Sequence, residues 1–500
     1  MVESIKPIIK LFLDKGYLIT PDIIEKSEME INFFENNLKN NESGELLIFN
    51  ENMLKELLKK KDKLMVKEEK LVDEIEIEKK GIKIIDSYDK IYGKLSVQNF
   101  TMHYQKRYDH LKRILQSRNE LLALLSINRI LSKKDRESVS TIGMVFEKNY
   151  TKNNNLILNI EDNTGNINVL INNNKKELFE KAKDIVLDET IGIKGANGDK
   201  IIFADEIFFP DISQNEPIKK SPNEEYLAVI SDLHIGSELF LEEEFLRFIE
   251  WINGKSGNKD QKEISQKIKY LLVVGDIVDG VGIYPNQDDE QNIPDIVLQY
   301  DKAAELLKLI RKDVNIIICP GNHDAVRLAE PQPILDKNTA KSLYGIDNIF
   351  LVSNPSSVNI GADESFEGFE VLLYHGYSYD DYSANVESIR FSGATVSDRT
   401  NMVMKFLLQK RHLAPTHGSS LFIPDSDADD LIIKNVPDFF VSGHIHKANV
   451  TQYGKVTKIA GSCWQSITPF QIKVGHSPEP GRVPIINLKT RDTKILKFAE

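Results

Sequence analysis

Residues Cys319–Asp324 read "CPGNHD", and the run that leads into them, Val314–Pro320, reads "VNIIICP". The β-branched apolar run predicts a buried strand that stops at Pro-Gly. An amide, an imidazole and a carboxylate follow at once, as Asn322, His323 and Asp324. Asn, Gly and Asp all favour turns, so the stretch by itself reads equally well as a polar turn after a strand. The rest of the chain decides between a turn and a site.

Four other apolar runs end in the same way. "YLAVI" leads into "SDLHIGS" with Asp232 and His234, and "YLLVV" leads into "GDIVDG" with Asp276 and Asp279. "EVLLY" leads into "HGYSYDD" with His375, and "DFFVS" into "GHIHKA" with His444 and His446. Side chains just past the carboxyl ends of sheet strands converge on one rim, where open α/β sheets place their sites. Each motif alone is weak, but five in order, each at a strand end, specify a metal centre. The donors are imidazole, carboxylate and amide without sulfur, which suits Mn, Fe or Zn better than Ca or Mg. There are more of them than one ion requires. Two divalent ions, about 3.5–4 Å apart in such sites, can clamp a phosphoryl group and activate its nucleophile.

The order D-x-H, G-D-x-x-D-G, G-N-H-D, H-G and G-H-x-H resembles the calcineurin-like metallophosphoesterases, from about Tyr226 to the C-terminus. That resemblance implies an αββα sandwich and a role for each position. Asp232, His234 and His446 would hold one metal, and Asn322, His375 and His444 the other. Asp276 would bridge them. His323 would face the substrate as the catalytic group, with Asp324 placed to orient it. Two divalent ions are implied, with Mn the first expectation and Fe or Zn the alternatives.

Upstream, the periodicity divides the chain further. Residues 1–60 carry apolar residues three and four apart, which predicts a small helical N-terminal domain. Residues 61–137 read as a charged linker, rich in Lys and Glu from Lys59 to Gly81, and an exposed helix around Tyr104–Ile127. From Ser138 the pattern alternates around Asn/Gly turns, with one helical segment, "KKELFEKAKDIV", between the third and fourth strands. That order predicts an OB-fold barrel over 138–215. An α/β domain follows over 224–500. The expected fold is thus α/β and β multidomain. Within the last region, "GDIVDGVGIYPNQ", "CPGNHDAVRLAEPQP", "KRHLAP" and "GSCWQS" are similar to the small-subunit family of archaeal family D DNA polymerases. That family shares the helical, OB and phosphoesterase order. The resemblance implies a 3′-to-5′ exonuclease that proofreads beside a large polymerising subunit, acting on single-stranded or mismatched 3′ ends. The alternatives are a non-catalytic assembly subunit and a phosphoesterase acting on nucleotides.

The bulk properties fit this frame. The 500 residues carry a formal net charge of −12, which argues against a simple, non-specific DNA-binding module but not against a nuclease. No stretch approaches the ~18 consecutive apolar residues of a membrane span. Two cysteines, Cys319 and Cys463, build no disulfide framework or thiolate zinc cluster, and a reducing cytoplasm is the expected compartment. Both cysteines read as small buried packers, and Trp464 as core or interface. His103, His110 and His476 read as surface residues. Arg327, Arg411 and His412 are candidates for phosphate contact or for salt bridges within the domain.

Overall fold

The computed structural model describes residues 9–19, 47–49, 53, 81–90, 94–133, 136–395, 397–475 and 477–499. The chain divides into two compact units, Met1–Lys83 and Ile84–Glu500. In the first, residues 9–14 are helical, and the strands Tyr17–Ile19 and Leu47–Phe49 pair in parallel. Phe12 and Tyr17 pack edge-on against Phe49. Most of the expected helical domain, and the charged run to residue 80, lie outside the described residues.

In the second unit the five-stranded barrel expected of an OB fold closes from Ser138–Tyr150 through to Ile201–Phe208. Its strands pair in the order first, second, third, fifth, fourth, and the fourth returns to the first. The helix Lys176–Lys183 joins the third strand to the fourth, as the sequence pattern predicts. Isoleucine, leucine and valine side chains at alternate positions fill the interior, including Leu158, Ile160, Val169, Ile193 and Ile202.

The phosphoesterase region is built on two six-stranded sheets. One runs Ile349–Leu351, Asn315–Cys319, Ile268–Val274, Tyr226–Ile230, Arg482–Asn487 and Thr493–Lys497. The other runs Asn449–Tyr453, Val456–Ala460, Phe439–Ser442, Phe369–Leu373, Ser356–Ile360 and Ile82–Ser87. Central strands such as Ile268–Val274 are buried along nearly their whole length, so they read as continuous apolar runs rather than alternating ones. The helices Glu242–Ile252 and Ile296–Leu307 cover the first sheet, with Trp464 packed on Phe245 at 4.9 Å. Trp464 is therefore core, and both cysteines are buried and free.

The helix Val97–Gln116 departs from the expectation of an exposed helix. It buries His103, Arg107, Leu111 and Leu115, spaced four apart on one face, together with Tyr108. Tyr108 O–H donates to Ile142 C=O on the barrel at 3.0 Å, while the Arg107 guanidinium donates to Asp429 and Pro415 C=O, both at 2.6 Å. The helix thus ties barrel to phosphoesterase region. His103 is not a surface residue, since it lies 3.3 Å from Asp429 and is buried. His110 is half-buried, and His476 lies outside the described residues. Arg411 and His412 are likewise internal. Arg411 donates to the Ile433 and Lys434 carbonyls, and His412 sits 2.9 Å from Asp429. Arg327 donates to the carbonyls of Ala329 and Pro331.

Candidate metal centre

The five motifs meet where the sequence pattern puts them. Asp232 and His234 follow Tyr226–Ile230, Asp276 follows Ile268–Val274, and Asn322 follows Asn315–Cys319, all in the first sheet. His375 follows Phe369–Leu373, and His444 and His446 follow Phe439–Ser442, in the second. The strand ends of the two sheets are joined directly. The Asp232 carboxylate accepts the His444 N–H at 3.0 Å, and His375 Nδ1 lies 2.9 Å from Val274 C=O.

Five of these residues occupy the left-handed backbone region: Asp232 (φ 51°), His234 (50°), Asp276 (51°), His444 (70°) and His446 (59°). Such a conformation costs an L-residue about 1–2 kcal/mol. Its concentration at one rim shows that the turns are held by the fold in order to aim side chains inward. Two glycines permit the crowding. A Cβ on Gly275 would stand 2.1 Å from His375 Nδ1, and one on Gly321 would stand 2.2 Å from Asp276 Oδ1.

Four imidazoles have a polar partner at Nδ1. His234 Nδ1 lies 3.3 Å from Asp279 Oδ1, His375 Nδ1 2.9 Å from Val274 C=O and His446 Nδ1 3.0 Å from Gln471 Nε2. His323 Nδ1 lies 2.8 Å from the Asp279 carbonyl. The oxygen partners at Nδ1 of His375, His323 and His234 favour a proton there and leave Nε2 for the centre, as partners behind a metal-binding histidine do, whereas the Gln471 amide N–H donates to His446 Nδ1. The Nε2 atoms of His234 and His446 stand 3.2 Å apart, and Asp232 Oδ1 lies 3.4 Å from the latter. His375 Nε2 is 3.1 Å from Asn322 Oδ1 and 3.2 Å from Asp276 Oδ2. His444 is the exception, with Nε2 3.2 Å from Asp380.

Two groups of donor atoms result: Asp232, His234 and His446, and Asp276, His375 and His444. The first group has the same residues as one expected ligand set, and the second joins His375 and His444 of the other to Asp276, while Asn322 Oδ1 lies 3.1 Å from His375 Nε2. A third group joins His234, Asp279 and His323. The carboxylates and imidazoles hold one another in their charged forms. Burial would lower the His375 imidazole, yet Asp276 beside it holds it up at about 9. Burial would raise Asp276, yet His375 and His323 hold it well below the usual carboxylate range. Nitrogen and oxygen donors facing one another at 3.1–3.4 Å are therefore a pair of sites that fit borderline divalent ions.

Asp324 does not orient His323. Its carboxylate accepts N–H groups from Gly321 (2.8 Å), Ile277 (3.3 Å) and Val278 (3.4 Å), and the Tyr300 O–H at 3.0 Å. It stitches the GNHD loop to the GDIVDG loop. Burial and nearby Asp276 push it up to about 7. The carbonyl that orients His323 belongs to Asp279. Gln471, Asp380 and Asp279 are partners that the motifs did not single out for these roles. Asp279 carried a signal as the second carboxylate of G-D-x-x-D-G, and Asp380 stands in "HGYSYDD", whereas Gln471 lies outside the motifs.

Residues 226–448 match the family model of the calcineurin-like phosphoesterases, and with the paired donor sets they define a metallophosphoesterase domain. The DNA polymerase II small subunit of Methanothermobacter thermautotrophicus is 39% identical over 416 residues, covering 83% of this chain and 82% of that one. Its counterpart from Archaeoglobus fulgidus is 36% identical over 422 residues, covering 84% and 81%. The chain belongs to the DNA polymerase II small subunit family. Among the described residues no helix is long and apolar enough to cross a membrane.

Proposed function

We propose that this chain is a 3′-to-5′ exonuclease that proofreads for, and assembles with, a large polymerase subunit. The observation that carries the reading is His323. It lines the cavity shared with the donor sets, yet its neighbour Asn322, not His323, pairs with His375. A chain serving only as a scaffold has no use for a catalytic imidazole there. Asp232, His234 and His446 would hold one divalent ion, and Asn322, His375 and His444 the other, with Asp276 shared. When bound, the ions supply positive charge to the phosphate and acidify a water molecule.

The chain's own residues do the rest. Water adds at phosphorus, the bond to the 3′-oxygen of the penultimate nucleotide breaks, and that oxygen needs a proton. His323 Nδ1–H is committed to the Asp279 carbonyl, so Nε2 is the atom that delivers it. The backbone N–H of His323 donates to Asp276 Oδ1 at 2.8 Å, which locks the acid and the shared carboxylate in one frame. Asp324 holds both loops in register.

General-acid help is worth about 10²- to 10⁴-fold, so His323→Ala lowers exonuclease turnover on that scale. Both metals remain bound, and polymerisation by the assembled complex survives with a higher error frequency. Metal content, nuclease rate and polymerase rate on one preparation check this. Loss of metal with activity would make His323 a ligand, and an unchanged nuclease rate would remove it from the reaction.

A further inference from the structure

Two segments beside the centre expose large apolar side chains: Val281, Ile283 and Tyr284 after GDIVDG, and Ile467 and Ile472 after "GSCWQS". Tyr284 lines the same cavity of about 480 Å³ as His323, and so do Thr468 and Gln471 of the second segment. Exposed apolar side chains on both segments thus flank a polar, charge-lined cleft, with the Tyr284 ring on its wall.

The first segment is built to hold its shape. Buried Gln287 donates to the carbonyl and the carboxylate of Asp279, both at 2.9 Å, and accepts the Ile283 N–H at 2.8 Å. Tyr284 O–H donates to Glu290 at 3.0 Å, which fixes the ring by its tip. Asp279 is the residue that also backs His234 and His323. The rim is therefore pinned to the same residue that positions the reacting groups.

The occupant follows from chemistry. Glu290 and Asp380 on the cavity wall disfavour a second phosphate. A nucleobase is uncharged, flat and able to stack on a phenol ring. The volume suits one small ligand rather than a stacked base pair. We propose that Tyr284 and the apolar rim take the unstacked 3′-terminal base of a DNA strand, so that the site selects ends whose last base is free. This rests on the exonuclease reading.

The test uses 5′-labelled oligonucleotides that end either in a normal 3′ nucleotide or in a tetrahydrofuran abasic residue, with Mn²⁺ and the full chain. Wild type is expected to cleave the base-bearing end with kcat/KM roughly tenfold higher, as the loss of one stacking contact implies. Tyr284→Ala abolishes that preference through KM, and Tyr284→Phe keeps it. Equal rates for wild type on the two ends, or an undiminished preference in Tyr284→Ala, would overturn the inference. So would a Tyr284→Ala variant that keeps its preference but no longer co-purifies with the large subunit, since the rim would then be a subunit contact. If wild type shortens neither strand, the exonuclease reading itself fails.

Discussion

At Gly321 a single methyl group decides whether the centre forms. A Cβ there would stand 2.2 Å from Asp276 Oδ1 and 2.5 Å from the Asp276 N–H nitrogen, neither of which can retreat. Gly321→Ala is therefore expected to displace the shared carboxylate and lower bound metal from two ions towards one or none while the sheets stay folded, as metal analysis beside circular dichroism would read. Asp276→Ala should do the same by removing the ligand itself, and two ions per folded chain would refute the bridging assignment. The donors at this scale were legible because each motif places a ligand type next to a strand end. Their supports were not. Gln471 approaches from a segment outside the five motifs, and Asp380, although it lies in "HGYSYDD", partners His444 from another motif 64 positions away. Asp324 was misread because adjacency suggested contact with His323, whereas successive residues of a tight turn aim apart and Asp324 turns inward to backbone N–H groups.

At the scale of the element, the helix Val97–Gln116 is clamped by charge. Arg107, Asp429, His103 and His412 are all buried, and Arg107 holds Asp429 well below the usual carboxylate range even against burial. Arg107→Met leaves Asp429 without its permanent cation. Breaking such a buried pair costs about 3–5 kcal/mol, which should appear as a lower thermal midpoint. Burial and the Arg107 charge push His412 down to about 4. The folded state therefore keeps it neutral, while an unfolded chain takes up its proton below about 6.5. Stability from this group is complete above pH 6.5 and falls as the pH drops towards 4, by about 2 kcal/mol at pH 5. His412→Asn keeps an acceptor for the Ala414 N–H but cannot titrate, so its thermal midpoint should fall less between pH 7 and 5 than that of wild type. An identical fall would show that His412 does not titrate across folding. Sequence periodicity missed this helix's buried face because His103 and Arg107, polar by type, occupy two of its four-residue steps.

At the scale of the whole molecule, barrel and phosphoesterase region share buried charge. Lys410, on the helix Thr400–Lys410, pairs with Glu189 of the barrel at 2.7 Å and sits 3.5 Å over the Phe209 ring. A fragment beginning at Glu224 would strand Lys410 and Asp429, so it is expected to be less soluble and to melt lower than residues 84–500. Equal melting would mean that these pairs add nothing. The order of barrel and sandwich was legible from the change in hydrophobic period near Ser138 and from the ligand motifs. The interlock was not, because it depends on which polar residues meet across more than 200 positions of chain, as Arg107 and Asp429 do across 322. By the proposed function, the folded chain removes nucleotides from a DNA 3′ end with divalent metal. The most direct measurement follows a 5′-labelled single strand with purified chain and Mn²⁺, with and without a chelator. A ladder that shortens stepwise from the 3′ end and stops with chelator is expected, whereas an intact strand at full metal loading, or internal cuts without a ladder, would contradict the exonuclease reading.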